Sequence, residues 1–159
     1  MKHRLLIAIA LCLLTTSSSH AKTQILFDTD IGTDIDDAYA LGLILASPEL
    51  ELLSVTTTGQ SSQDRAWMVC RFLTQSGRKP IPIAWGRDPQ PSSKVTTQSQ
   101  YRRHPAVLFN RTFRPVKEPA VDLLYKTLKA HQGATILAVG PLTNIVKLLK
   151  THPDCKPWI

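Results

Sequence analysis

Gln24-Ile25-Leu26-Phe27-Asp28-Thr29-Asp30-Ile31-Gly32-Thr33-Asp34-Ile35-Asp36-Asp37-Ala38 passes from an apolar run through a cluster of carboxylates into a second apolar stretch that ends at Ser47-Pro48. A short continuous apolar run is how a strand buried on both faces reads. The segment from Asp37 to Ala46 is apolar on most sides, as a helix packed on a sheet would be, and Ser47-Pro48 stops it. Strand, acidic turn, helix is therefore the first unit of the chain.

Reading outward, the pattern repeats. Leu50 to Thr57 is a second strand, β-branched and apolar, closed by Gly59. Ser61 stands three residues before Asp64 and starts a helix with Trp67, Val69, Cys70, Phe72 and Leu73 turned inward, ended by Ser76-Gly77. Ile81 to Trp85 is a third strand, closed by Gly86. Residues 87–117 are polar and proline-bearing without a clear period, a long excursion of the kind that is usually functional or mobile. Pro119 opens a helix with Val121, Leu124, Tyr125 and Leu128 on one face, Thr135 to Val139 is a fourth strand, and a last helix runs from about Leu142 to Lys150. Strand–helix alternation with short turns predicts an α/β fold, a mainly parallel Rossmann-like sheet flanked by helices. In such sheets ligands bind beyond the carboxyl ends of the strands.

Composition sets bounds. The chain has 159 residues, 43% hydrophobic and 19% charged, which excludes a disordered chain and leaves room for one core. Its formal charge is +7. The basic residues are spread out, Arg102-Arg103 is the tight pair of the long loop, and no recognition motif accompanies them, so no nucleic-acid partner is expected. Lys2, His3 and Arg4 precede the apolar run Leu5 to Leu14, and Ser19-His20-Ala21 carries small residues where a signal peptidase reads. The run is too short to span a bilayer, so residues 1–21 read as a signal peptide and residues 22–159 as an exported chain, periplasmic or secreted, with no membrane anchor after cleavage. Cys12 lies within the run behind Leu11, which does not fit a lipoprotein site. Cys70 and Cys155 remain; export permits a disulfide between them, while the apolar pattern around Cys70 suits a core thiol. Asn110-Arg111-Thr112 matches a glycosylation sequon.

Five of the twelve acidic residues fall between Asp28 and Asp37. So close together, like charges repel unless some are protonated or a cation sits among them. A hard divalent ion with oxygen ligands, Ca²⁺ or Mg²⁺, is the simplest resolution, and Gly32 permits the tight turn that would converge the carboxylates. Helix capping by Asp36 and Asp37 would explain two aspartates but not five. An EF-hand fails, because Gly32 is the fifth residue counted from Asp28 and Tyr39 the twelfth, where ligands belong. A haloacid-dehalogenase-type phosphatase, which also places Asp-x-Asp after a first buried strand with Mg²⁺, is the closer rival.

The segment Asp28 to Ala38 resembles the N-terminal signature of the inosine/uridine-preferring nucleoside hydrolase family. Gly140-Pro141-Leu142-Thr143-Asn144 resembles that family's turn after its fourth strand, and Ile81-Pro82-Ile83-Ala84-Trp85-Gly86 resembles its third strand and turn, in family order along nearly the whole chain after the leader. The resemblance implies hydrolysis of the N-glycosidic bond of ribonucleosides with a bound Ca²⁺ that holds ribose hydroxyls and a water. By position it implies Asp30 as metal ligand and general base, Asp37 as metal ligand, Asp36 as ribose-binding carboxylate, and Val139 as donor of a backbone carbonyl to the metal. Asp28 would support these from behind. Where the family commonly has Gly-Asn this chain has Gly59-Gln60, so Gln60 takes the substrate contact, and the longer spacing from Asp30 to Asp36 leaves the role of Asp34 open. In the long loop His104-Pro105 reads as an ordinary loop histidine.

The family's chains are about twice as long, and their C-terminal half supplies a further metal aspartate and ribose contacts. The resemblance therefore implies the N-terminal half of a larger domain, truncated after about four strands, with little activity alone, an exposed sheet edge and an uncovered apolar face. A complementing C-terminal fragment, a homo-oligomer, and a non-catalytic metal- or nucleoside-binding module are the alternatives.

Overall fold

Ile25, Leu26 and Phe27 are three consecutive apolar side chains, and a strand that alternates faces can bury them only between two layers. β1 (Thr23–Thr29) is accordingly an interior strand of the computed structural model, which describes residues 21–87, 98 and 113–159. It pairs in parallel with β2 (Leu50–Thr57) on one side and β4 (Thr135–Ala138) on the other, and β2 pairs with β3 (Ile83–Trp85), giving a parallel sheet in the order β3-β2-β1-β4. The predicted α/β class and parallel topology are what the structure has.

Helices cover both faces. α1 (Asp36–Ala46) and α2 (Ser62–Gln75) pack Leu41, Ile44, Val69, Cys70 and Leu73 against Ile25, Phe27, Val55 and Ile83. On the other face, α3 (Ala120–Ala130), α4 (Thr143–Thr151) and a 3-10 helix (Pro153–Trp158) close over Leu26 with Val121, Leu124, Leu128, Leu148 and Cys155. Cys70 and Cys155 are thus buried free thiols in separate cores on opposite faces of the sheet. The disulfide that export would permit is not formed.

Several boundaries differ from expectation for identifiable reasons. β3 starts at Ile83 rather than Ile81, because Pro82 has no N–H for the ladder; its carbonyl still accepts from the Val55 amide at 3.0 Å. β4 stops at Ala138, one residue before Val139. The terminal 3-10 helix was not expected; Tyr125 stacks on His152 at 4.0 Å and its hydroxyl donates to Asp154 at 2.8 Å, fastening it to α3. Residues 1–20 of the expected signal peptide (1–21), His104, the Arg102-Arg103 pair and the sequon at 110–112 lie outside the described residues. No helix among the described residues is long and apolar enough to cross a membrane.

Among the described residues, apolar side chains stand exposed beside β4. Leu137 lies opposite Phe27 in the register and so points to the α1 side of the sheet, yet it is 37% exposed, and Val139 after it is 41% exposed. On the same side, Ile35 just before α1 and Tyr39 and Leu43 on it are exposed at four-residue spacing, with Tyr39 73% exposed. Among the described residues no strand pairs with the outer edge of β4.

Candidate functional site

The carboxyl ends of the four strands meet through polar side chains that are buried because they bond one another. Asp28, the sixth residue of β1, is fully buried. Its Oδ1 accepts from Thr56 Oγ1 on β2 at 2.5 Å and from Asn144 Nδ2 at 2.8 Å, while its Oδ2 has no partner. Burial outweighs these two bonds and pushes the Asp28 carboxyl up to about 6, with the nearby Asp30 charge adding to the rise. Asn144 also donates to the Thr57 carbonyl at 3.1 Å. One asparagine from the turn after β4 thereby ties β1 to β2.

The glycines of this floor are required by contact rather than by dihedral angle. A Cβ on Gly86 would sit 2.3 Å from Asn144 Oδ1, and a Cβ on Gly140 would sit 2.7 Å from Asp30 Oδ1 and 2.8 Å from the Asp30 nitrogen. Only a residue without a side chain lets these turns come so near. Further bonds hold the turns together. The Val139 amide donates to the Asp28 carbonyl at 2.9 Å, Thr58 Oγ1 reaches the Pro141 carbonyl at 3.1 Å and Thr143 Oγ1 at 2.5 Å, and Ser62 Oγ donates to the Gly86 carbonyl at 2.6 Å.

Above this floor stand the predicted site residues. Gly32, with φ of 106°, makes the turn that the acidic segment called for. Asp37 is buried in the first turn of α1, where Thr29 Oγ1 donates to its Oδ1 at 2.5 Å. Burial first, opposed by that bond, and then the charges of Asp30 and Asp36 hold its carboxyl above the usual range. The Asp30 amide also bonds the Asp37 carboxylate. Asp30 and Asp37 are therefore neighbours. Asp36 and Asp34 are exposed on the rim, and Gln60 is exposed at the turn after β2. Gln60 lines a cavity of about 150 Å³ with Thr58, Gly59, Gly86, Thr143 and Asn144.

The donor chemistry suits a hard divalent ion in part. Asp30 and Asp37 are oxygen donors whose mutual repulsion a cation would relieve, and Val139 follows β4 with its amide bonded to the Asp28 carbonyl. Among the described residues, however, no three His, Cys, Asp or Glu side chains are grouped to hold a metal. The carboxylate cluster read in the sequence is thus two neighbouring carboxylates, Asp30 and Asp37, with Asp34 and Asp36 exposed on the rim, where α1 begins at Asp36.

Sequence reasoning passed over Arg65. It is 5% exposed, and its guanidinium donates to the carbonyls of Gln60 and Ile31 and to Thr33 Oγ1. A signal was present: Arg65, Val69 and Leu73 follow the four-residue spacing of the buried stripe of α2.

The model for the inosine-uridine preferring nucleoside hydrolase family matches residues 25–159. The chain is 40% identical over 139 residues to a pyrimidine-specific ribonucleoside hydrolase of Citrobacter koseri, covering 82% of this chain and 43% of the relative. It is 35% identical over 146 residues to a non-specific ribonucleoside hydrolase of Escherichia fergusonii, covering 87% of this chain and 47% of that one. A solved plant nucleoside hydrolase superposes with a TM-score of 0.72 at 24% identity over 86% of this chain and 45% of its own, a likeness of fold. The chain spans about half the length of the curated relatives it matches.

Proposed function

Because the chain belongs to the inosine-uridine preferring nucleoside hydrolase family, we propose that it carries the metal- and ribose-binding half of a site that hydrolyses the N-glycosidic bond of ribonucleosides. The observation that carries this reading is the pairing of Asp30 with Asp37 above a floor closed by Asp28 and Asn144. Phosphatase chemistry loses its ground with the family assignment.

In this reading the Asp30 and Asp37 carboxylates and the Val139 carbonyl would hold Ca²⁺, which would supply an anchor for ribose hydroxyls and lower the pKa of a water. Asp30 would accept the proton of the attacking water. As the base departs, positive charge grows on the ribosyl ring, and the carboxylates of Asp30, Asp36 and Asp37 stabilise it. Asp36, exposed on the rim, accepts a hydrogen bond from a ribose hydroxyl, and Gln60 contacts the substrate from the turn after β2. The site needs further ligands, which a polypeptide equivalent to the other half of the relatives would bring, packing on the bare side marked by Leu137, Val139, Tyr39 and Leu43. Alone, residues 22–159 bind Ca²⁺ and release little base. Residues 1–21 direct export and are then removed.

Calorimetry with Ca²⁺, beside assays of base release from inosine and uridine, tests this. The expected result is Ca²⁺ binding that Asp30→Asn abolishes, with base release appearing only when the C-terminal half of a relative is added. Full calcium-dependent release by the chain alone would overturn the half-site reading, and absence of Ca²⁺ binding would overturn the metal assignment. The mass of the chain recovered from the periplasm, or from the medium, checks cleavage after Ala21.

A further inference from the structure

The chemistry above makes no use of Arg65, although among the described residues no other lysine or arginine is buried. Taking a cation out of water is costly unless each of its donors finds an acceptor. Arg65 meets that condition on two separate turns: Nε donates to the Gln60 carbonyl at 2.8 Å, and Nη1 and Nη2 donate to the Ile31 carbonyl and Thr33 Oγ1, each at 2.9 Å. All three acceptors are neutral. The guanidinium thus spends its directional bonding on the backbone and hydroxyl of the turns, while Asp30 and Asp37 favour its charge from nearby.

Both turns are tied from outside: besides Arg65, the Gln98 amide donates to the Gly32 carbonyl at 3.1 Å. The stretch from Ile31 to Ile35 separates Asp30 from the Asp36-Asp37 pair, and Thr33, Asp34 and Ile35 in it are exposed, so packing does little to fix it. The turn after β2 holds Gly59 at φ 72° and Ser61 at φ 57°, and a serine in the left-handed region persists only where its surroundings impose it. Gln60 lies between them. We propose that Arg65 is a positioning residue that clamps the turn after β1 to the turn after β2, and so fixes Asp30 and Asp37 relative to Gln60 for binding of a divalent cation and a ribosyl group. This rests on the reading of the site given above.

The clamp makes a prediction of opposite sign to that of a mere nearby charge. A fixed cation repels a metal ion, so if charge were the role of Arg65, its removal would tighten Ca²⁺ binding. If the three-pronged bond is the role, removal weakens binding, and lysine does not restore it, because an ammonium on a flexible stem cannot span the three acceptors as the planar fork does. Ca²⁺ affinity by calorimetry and amide hydrogen exchange of peptides covering 31–35 and 58–62 are measured on the full chain and on Arg65→Lys and Arg65→Gln. Expected is a loss of about 10- to 100-fold in affinity for both variants, with faster exchange in both turns together and unchanged protection in β1 and β2. Equal or tighter Ca²⁺ binding by Arg65→Gln overturns the proposal, as does a change confined to one turn. Should Arg65→Gln fail to fold, Arg65→Lys carries the comparison: wild-type affinity and exchange in that variant overturn the clamp. If the wild-type chain binds no Ca²⁺, the functional reading falls, and exchange in the two turns still decides whether Arg65 joins them.

Discussion

On the β2 side of β1, strand ends are locked to one another; on the β4 side, the turn is locked, but among the described residues the strand's face is exposed and its outer edge unpaired. Asp28, Thr56, Thr57, Ser62, Gly86 and Asn144 form a closed set in which nearly every polar atom has a partner within the chain. A few residues away Leu137, Val139, Tyr39 and Leu43 offer apolar surface to solvent. The difference shows that the site floor is held without contacts from the exposed side of β4. Its rigidity is local, built from hydrogen bonds between turns, whereas the rim of the site and the adjoining β4 surface are left open to a ligand or to another piece of protein.

The contrast can be broken hardest at Asp28. With its folded carboxyl at about 6 against 3.8 for the ordinary group, the folded state holds a proton that the unfolded state releases. Stability therefore falls as pH rises from about 4 to about 6, by roughly 3 kcal/mol at most. In chelator-containing buffer, Asp28→Asn should remove this slope and be the more stable protein at pH 7; urea titrations across that range measure it, and a pH-independent wild type would show that the buried carboxyl is not the source. Next in size is Gly140→Ala, which should cost about 1 to 3 kcal/mol, since its methyl must displace the Asp30 carboxylate and backbone and the Thr58 side chain together, and should weaken Ca²⁺ binding measured by calorimetry.

Asn144→Ala leaves the buried Asp28 Oδ1 with Thr56 as its remaining donor and the Thr57 carbonyl with the Gly86 amide, at a cost of about 1 to 2 kcal/mol. A shift of the urea midpoint too small to match that would mean the strand ends hold without their bridge. The smallest effect belongs to the bare side. Leu43→Lys should change the stability of the isolated chain by no more than about 0.5 kcal/mol, yet reduce association with an added C-terminal half from a relative. A large loss of stability there would show that Leu43 already has a partner in this chain.

Much of the fold was legible because it is written in runs of adjacent residues. β2 has the bounds that its β-branched run indicated, and α1 and α2 each differ by about a residue from the reading. The acidic turn was legible for the same reason. What escaped depends on residues that meet only after folding. Asn144 was visible as part of a motif, but its partner Asp28 is 116 residues away, and no local pattern pairs them. The five aspartates looked alike in the sequence. Burial then separates Asp28 and Asp37, which lie against β1 and β2, from Asp34 and Asp36, which the turn and the start of α1 direct outward. Arg65 was hidden by its type, since a charged side chain at a core position of a helix reads as a surface residue unless its spacing is weighed first.

The two free cysteines on opposite sides of the sheet give this chain a pair of built-in clocks. Burial pushes the Cys70 thiol up to about 12 and the Cys155 thiol in the same direction, so neither reacts readily while its layer is closed. A thiol reagent applied to the leaderless chain would modify Cys70 when α2 lifts from the sheet and Cys155 when the terminal 3-10 helix lifts, reporting the opening of each layer on its own timescale.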